Sequence, residues 1–232
     1  MDTVLNWSSG KDAALAYYLL SRGGQYNVRA LLTTINAENE RIVMHGVREE
    51  LLDMQAERIN LPLKKIHLPP SPDHELYNAA MQIAMDELKA EGIAHSAFGD
   101  IHLEDLRQYR ENQLKQAGFE AVFPLWGKNT GELVRMVEDS GIEAVIVCVN
   151  EKYLGKEYLG RKIGAELLAD LPDGVDPCGE YGEFHTYVYN APYFSSPVAW
   201  KSGEVVRKVY TADKDNQAWD KGFWFMDVLP VD

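Results

Sequence analysis

The chain has 232 residues, 46% hydrophobic and 25% charged, enough apolar sequence for one large or two small globular domains. Acidic residues outnumber basic ones 36 to 23, and the formal charge of −13 argues against binding bulk nucleic acid. No apolar stretch reaches bilayer length and the start lacks a basic flank and a cleavage site, so the expectation is a cytoplasmic protein with no membrane partner.

Thr3, Val4, Leu5 and Trp7 belong to an apolar run suited to a buried strand. The run breaks at Ser8, Ser9 and Gly10, and Asp12 then opens a helical spacing through Leu15, Tyr18 and Leu19. Small residues let a backbone approach an anion, the N–H groups and dipole of a helix start favour negative charge, and Lys11 adds a mobile cation. That chemistry is phosphate binding. The alternative is an ordinary strand-to-helix turn capped by Ser8 or Ser9.

Residues 28–35 read as a second buried strand, followed by a polar turn over 36–40. Residues 42–47 lead into a helix with Val47, Leu51, Leu52 and Met54 among its apolar positions. A third strand spans 63–68, and Ser71, Pro72 and Asp73 start a helix whose apolar face is Leu76, Ala80, Ile83, Ala84 and Leu88. Residues 97–100 end another strand. Gly99, Asp100 and Ile101 then open a helical stretch with Leu103, Leu106, Arg107 and Arg110 on one face. Asp100 either caps that helix or has a catalytic or metal role. Strand and helix alternate, which implies an α/β, doubly wound parallel sheet with ligands at the carboxyl ends of its strands. There the loop after the first strand, Thr33, Thr34 and residues 97–100 converge.

Phe123, Pro124, Leu125, Trp126 and Gly127 mark a junction, dividing the chain into domains 1–125 and 126–232. A helix over 130–138, a strand over 143–149 and a helix over 161–171 follow. From Asp176 onward the chain is rich in Tyr, Phe, Trp and Val, and 205–210 and 223–229 read as antiparallel strands of a smaller C-terminal α+β domain. Cys148 lies in an apolar run as a buried small residue, whereas Cys178, between Pro177 and Gly179, is expected in an exposed turn. The two support neither a disulfide framework nor a zinc site. Residues 178–186 pack functional groups densely. Gly179 and Gly182 permit unusual backbone angles, Glu180 and Glu183 accept protons or bind ammonium, and His185 titrates near neutral pH beside Thr186. A loop of solvated acids is the alternative.

The run Ser8, Ser9, Gly10, Lys11, Asp12, Ala13 resembles the PP-loop of the ATP pyrophosphatases, usually S-G-G-x-D-S. Ser9 replaces the first glycine and Ala13 the final serine. Together with 44–47, 99–101, 124–126 and the G-E-x-G-E-F-H-T run over 179–186, it makes the chain similar to the diphthine ammonia ligase family, also called diphthamide synthetase, from Val4 to about Tyr193. That family often has threonine where Gly46 stands.

The resemblance implies an adenine-nucleotide α-hydrolase-like fold and an enzyme that uses ATP and Mg²⁺ to adenylate a carboxylate, release pyrophosphate and transfer ammonia, giving an amide. It implies that Ser8, Ser9, Gly10 and Lys11 hold the pyrophosphate, with Asp12 beside the metal. Thr33, Thr34 and His45 fall on the nucleotide side, and Lys11, Asp100, Glu180, Glu183, His185 and Thr186 are the catalytic candidates. The acceptor implied is a diphthine-like acid, as on translation elongation factor two. No glutaminase domain is evident, so free ammonia is expected; a homo-oligomer stays open. Two alternatives remain. A nucleotide-binding sensor without turnover is suggested by the missing hydroxyl at Ala13. A PP-loop RNA-modifying enzyme is opposed by the acidic charge and the lack of paired cysteines.

Overall fold

Side chains alternate along a strand, and in β1 (Asp2–Asn6) Val4 and Leu5 are both fully buried, so each face of the strand must be covered. The computed structural model describes residues 1–42, 45–210 and 221–231; Val43 and Met44, within the expected segment 42–47, lie outside them. β1 is the centre of a parallel set, with β2 (Asn27–Asn36) and β4 (Leu63–Leu68) extending it one way and β5 (His95–Ala97) and β6 (Glu120–Val122) the other.

Leu5, Leu31 and Ile35 pack with Leu15 and Leu20 of α1 (Lys11–Gly23) and with Leu51 and Leu52 of α2 (Glu49–Ile59). Val4, Ala30, Leu32 and Ile66 face the other way, against Ala84, Met85 and Leu88 of α3 (His74–Ala90) and Leu114 of α4 (Glu104–Ala117). The sheet is therefore doubly wound, as expected. The short β3 (Arg41–Ile42) runs antiparallel to Ile35 and Asn36, on the edge of β2 beyond the end of β1, since β4 occupies the other edge at those residues.

A second sheet, antiparallel throughout, has the order β8 (Phe184–Asn190), β7 (Glu143–Asn150), β10 (Lys221–Pro230), β9 (Trp200–Tyr210). Helices α5 (Thr130–Asp139) and α6 (Ala165–Asp170) accompany it. Its residues Val147, Tyr187, Val188 and Val228 belong to the same apolar cluster as Leu5 and Leu15, so it packs on the α1 side of the parallel sheet. Among the described residues no helix is long and apolar enough to cross a membrane.

Three expectations need correction. Val47 precedes α2, because its carbonyl accepts the Ile42 N–H at 2.9 Å and Arg48, bridged antiparallel to Arg41, stays extended. On α3, Leu76 and Ile83 are exposed at 47% and 63%, and the stripe that packs is Ala84, Met85 and Leu88 with Tyr77, Ala80 and Met81. Two apolar stripes share that helix, and periodicity alone does not rank them. Residues 161–163 are not helical but run along β7, with Ile146 N–H donating to the Arg161 carbonyl at 3.0 Å and Ile163 N–H to Ala144 at 2.9 Å.

The strand order reverses at β1, which opens a crevice outside the carboxyl ends of β1, β2 and β5. Gly99 lets α1 close over one end of it. A Cβ there would lie 2.8 Å from the Asp12 carbonyl carbon and 2.9 Å from the Ala13 nitrogen, so the two segments meet backbone to backbone. Gly99→Ala is expected to destabilise by about 2 kcal/mol through overpacking, read in a thermal melt as a fall of about 4–8 °C for a chain of this size.

Candidate active site

The crevice is a cleft of about 510 Å³. Asn6, Trp7 and Ser8 line it from the end of β1, Thr33 and Thr34 from β2, Phe98, Gly99 and Asp100 from the end of β5, and Lys11, Asp12 and Ala13 from the first turn of α1. From the second half come Cys178, Gly179, Glu180, Phe184, His185 and Thr186, and His45 completes the wall. Every sequence candidate except Ser9, Gly10 and Glu183 thus lines one cleft.

Helix α1 begins with Gly10 as its N-cap and without a side-chain cap, so neither Ser8 nor Ser9 makes the ordinary capped turn. The first turn is instead satisfied across the fold: the Thr186 hydroxyl accepts the Lys11 N–H at 3.0 Å, and the Ser9 carbonyl accepts the Val188 N–H at 2.9 Å. Gly10 allows this approach, since a Cβ would stand 2.9 Å from the His45 ring and 3.2 Å from the Thr186 hydroxyl. Ser9 has φ +69°, the left-handed region that the glycine of the family pattern adopts without strain and that costs another residue roughly 1–2 kcal/mol. Its side chain is fully buried with an unpartnered hydroxyl, so the part of Ser9 expected to bind phosphate reduces to its backbone.

Lys11 is not the mobile cation expected. Its side chain is 2% exposed, its ammonium donates to Asp12 at 2.8 Å and to the Cys178 carbonyl, and it lies over the Phe184 ring. Desolvation opposes its charge, but the Asp12 carboxylate, with help from Glu180, outweighs that and holds its pKa above the usual lysine value.

Three carboxylates share the cleft, Asp12, Asp100 and Glu180. Asp100 does not cap α4, whose N-cap position is Leu103; it pairs with Arg110 at 2.8 Å, and that guanidinium lies 4.2 Å from the Phe98 ring centre. Glu180 crosses from the second half to the first: its Oε1 accepts the N–H groups of Ile101 at 3.0 Å and His102 at 2.8 Å. Desolvation raises all three pKa values above the ordinary carboxylate range. The charge of Asp12 adds to the shift of both Asp100 and Glu180, while Lys11 and Arg110 oppose it at Asp12 and Asp100 respectively. Among the described residues no three acidic, imidazole or thiol groups form a ready-made metal site.

Glu183 and His185 depart from expectation. Glu183 is 2% exposed, and its two oxygens accept the N–H groups of Asp176 at 3.2 Å and Tyr181 at 3.0 Å, so it shapes the loop beneath Glu180 and does not reach the cleft. Asp176 completes that knot, accepting from the Cys178 and Glu180 N–H groups and the Thr130 hydroxyl. Cys178, expected in an exposed turn, is buried there with its thiol pKa pushed well up by desolvation. His185 does not titrate near neutral pH. Desolvation, the neighbouring His45 and the Lys11 charge hold its pKa well below 6.5. The two imidazole rings lie 4.8 Å apart, and His45, lowered to about 4 chiefly by desolvation, donates through Nδ1 to the Thr186 carbonyl at 3.1 Å.

Sequence reasoning assigned no role to Asn6, whose Nδ2 donates to the Ser96 hydroxyl at 2.8 Å and the Ala97 carbonyl at 3.0 Å and so ties the ends of β1 and β5 together. The signal was a lone amide interrupting an apolar strand. Asp100 and Arg110 were both visible as an acid and a cation near a strand end, but not that they pair with each other.

A strand-to-helix loop at the reversal point of a parallel sheet, faced by ionisable groups from an antiparallel sheet, defines a doubly wound α/β protein with its site at the carboxyl ends of the strands. The family description "Diphthamide synthase N-terminal domain" matches residues 1–121, and "Diphthamide synthase C-terminal domain" matches residues 129–222. The chain belongs to the diphthamide synthase family. It is 26% identical to the Diphthine--ammonia ligase of Homo sapiens, over 89% of this chain and 84% of that one. Identity to the Bos taurus protein of that name is also 26%, over 86% and 82%. A solved U34-tRNA thiolase, NcsA from Methanococcus maripaludis with its [4Fe-4S] cluster, aligns at 18% identity and a TM-score of 0.37, over 60% of this chain and 55% of that one.

Two outcomes follow from this geometry. Glu183→Gln turns an amide N–H₂ toward a buried backbone N–H and should destabilise by about 1–3 kcal/mol, whereas Glu180→Gln keeps Oε1 for Ile101 and His102 and should melt close to the wild type. Equal melting temperatures for the two variants would contradict these assignments. Histidines held neutral below pH 6.5 bind fewer protons in the folded than in the unfolded state, so their contribution to stability is full above pH 6.5 and is lost as the pH falls toward about 4. Acidification from pH 7 to pH 5 should therefore lower the melting temperature of the wild type more than that of a His45→Gln, His185→Gln double variant, in which the carboxylates are unchanged.

Proposed function

We propose that the protein is an ATP-dependent amide ligase of the PP-loop type that joins ammonia to a diphthine-like carboxylate, as the names of its relatives state for those proteins. The observation that carries this reading is the convergence of Ser8, Lys11 and Asp12 with Glu180 and Asp100 on one cleft. We assign residues 1–125 to the nucleotide and 126–232 to the acceptor, with Thr33 and Thr34 beside the adenosine. The acceptor would sit on a protein such as translation elongation factor two, in the cytoplasm.

The reaction has two displacements. A carboxylate oxygen of the acceptor attacks the α-phosphorus and pyrophosphate leaves; ammonia then attacks the acyl carbon, and the C–O bond to AMP breaks. Backbone N–H groups of the loop and the start of α1 favour the charge that develops on the departing pyrophosphate. Glu180 has both of its hydrogen bonds on Oε1 and a raised pKa, which suits its other oxygen to accept the proton released by the attacking ammonia. The neutral imidazoles of His45 and His185 offer hydrogen bonds without adding charge. Lys11 fixes the loop to the second half and so takes a positioning part.

Mg²⁺ fits the cleft, since the charge of Asp12 raises the pKa values of Asp100 and Glu180, and that of Asp100 raises the pKa of Glu180, negative charge that a cation would offset. Asp12, a third exposed, would hold it together with phosphate oxygens of the substrate, the usual arrangement for this ion. When bound, it neutralises charge on the phosphates.

The test is incubation with Mg-ATP, ammonium and a diphthine-bearing acceptor. AMP and pyrophosphate are expected in step with amide, and Asp12→Asn should slow their release by about 100-fold or more. Acceptor-dependent ADP and orthophosphate would refute the reading, and tight ATP binding without any turnover would favour a sensor. Lys11→Ala is a poorer probe, because it leaves the Cys178 carbonyl without its buried donor.

A further inference from the structure

Gln55 is fully buried on the core side of α2, between Leu51, Leu52, Ala56 and Ile59. A primary amide in such surroundings persists only when its hydrogen bonds are made. Here they tie together three separate elements. Oε1 accepts the Trp7 indole N–H at 2.8 Å, from the residue just after β1. Nε2 donates to the Val188 carbonyl of β8 at 2.6 Å and to the Ser9 carbonyl at 3.3 Å. This orientation of the amide is the only one that matches, because an indole only donates and a carbonyl only accepts.

The Ser9 carbonyl consequently has two donors, the Gln55 amide and the Val188 N–H at 2.9 Å. Both hold it on the core side. In a trans peptide the next N–H points opposite to the carbonyl, so fixing the Ser9 oxygen turns the Gly10 N–H away from the core. Its nearest acceptor is the Ser8 hydroxyl at 3.4 Å, a long contact on a residue that lines the cleft. The same clamp holds Ser9 at φ +69°, a conformation that a non-glycine residue leaves readily unless its surroundings impose it.

We infer that Gln55 is a positioning residue for the phosphate loop: by gripping the Ser9 carbonyl against β8 it turns the Gly10 N–H toward Ser8 at the wall of the cleft, where an anionic oxygen of a nucleoside triphosphate seated beside Ser8 replaces the weak contact to its hydroxyl. It touches no substrate. The inference rests on the proposed role of the loop as the holder of the ATP phosphates, and it adds a residue that no site motif contains.

The experiment compares calorimetric binding of ATP and of adenosine to the wild type, Gln55→Met and Gln55→Glu, with melting temperatures recorded alongside. Met keeps the volume and removes every hydrogen bond; Glu keeps the acceptor for Trp7 and loses the donor to Ser9 and Val188. The expected result is a loss of at least about tenfold in ATP affinity in both variants, with adenosine affinity unchanged, because only the triphosphate uses the aimed N–H. A purely structural role would weaken both ligands alike. If the wild type binds ATP no better than adenosine, the phosphate-loop reading falls and takes the positioning role with it. If the wild type shows the gain and both variants keep it, only the positioning role falls. Should Gln55→Met fail to fold, Gln55→Glu decides; failure of both to fold identifies a core residue and overturns the inference.

Discussion

One backbone hydrogen bond joins the two halves of this protein at the place where chemistry is expected: the Val188 N–H of β8 on the Ser9 carbonyl of the loop after β1. Around it the Thr186 hydroxyl accepts the Lys11 N–H, the Lys11 ammonium donates to the Cys178 carbonyl, and the Tyr193 hydroxyl donates to the Ala14 carbonyl. A tight strand-to-helix loop usually depends on its own glycines for its shape. Here part of that shape is imposed by the opposite sheet, which explains how Ser9 can occupy a left-handed position with no glycine present. The apolar core agrees with the polar stitching, since one cluster contains Leu5, Trp7 and Leu15 from the first half and Val147, Tyr187 and Val228 from the second.

The electrostatics of the cleft follow from the same packing. The chain is strongly acidic, and it brings three carboxylates to one cavity while committing the two cations there to fixed partners, Lys11 to Asp12 and Arg110 to Asp100. Desolvation then raises the carboxylate pKa values and lowers those of the two histidines, leaving a site short of positive charge. Such a site does not attract a triphosphate by its side chains alone. Under the proposed function, oriented backbone N–H groups and an accompanying dication would supply what the side chains lack.

Glu180 and Glu183 show how little residue type says about role. They are the same acid three positions apart in one loop. Gly179 has φ +69° and sits so close to the Phe184 carbonyl that a Cβ would stand 2.7 Å from it, which folds the loop back on itself. That turn sends Glu180 out to Ile101 and His102 across the cleft and Glu183 inward to the N–H groups of its own loop.

The sequence by itself determined the alternation of strands and helices, the doubly wound first sheet, the antiparallel character of the second, and the convergence of loop, Thr33, Thr34 and Asp100 on one edge. These are consequences of local periodicity and of the rule that ligands gather at strand carboxyl ends, both readable without distant contacts. Only the tertiary structure decided which stripe of α3 is buried, that residues 161–163 lie along β7, that Lys11 is pinned, and that Glu183 and Cys178 are internal. Gln55 was legible merely as a polar residue at a core spacing between Leu51 and Ile59, with no sign of what it held. The physical reason is common to all of them: burial and partnership depend on residues far away in the chain, such as the 133 positions that separate Gln55 from Val188, and periodicity does not register those.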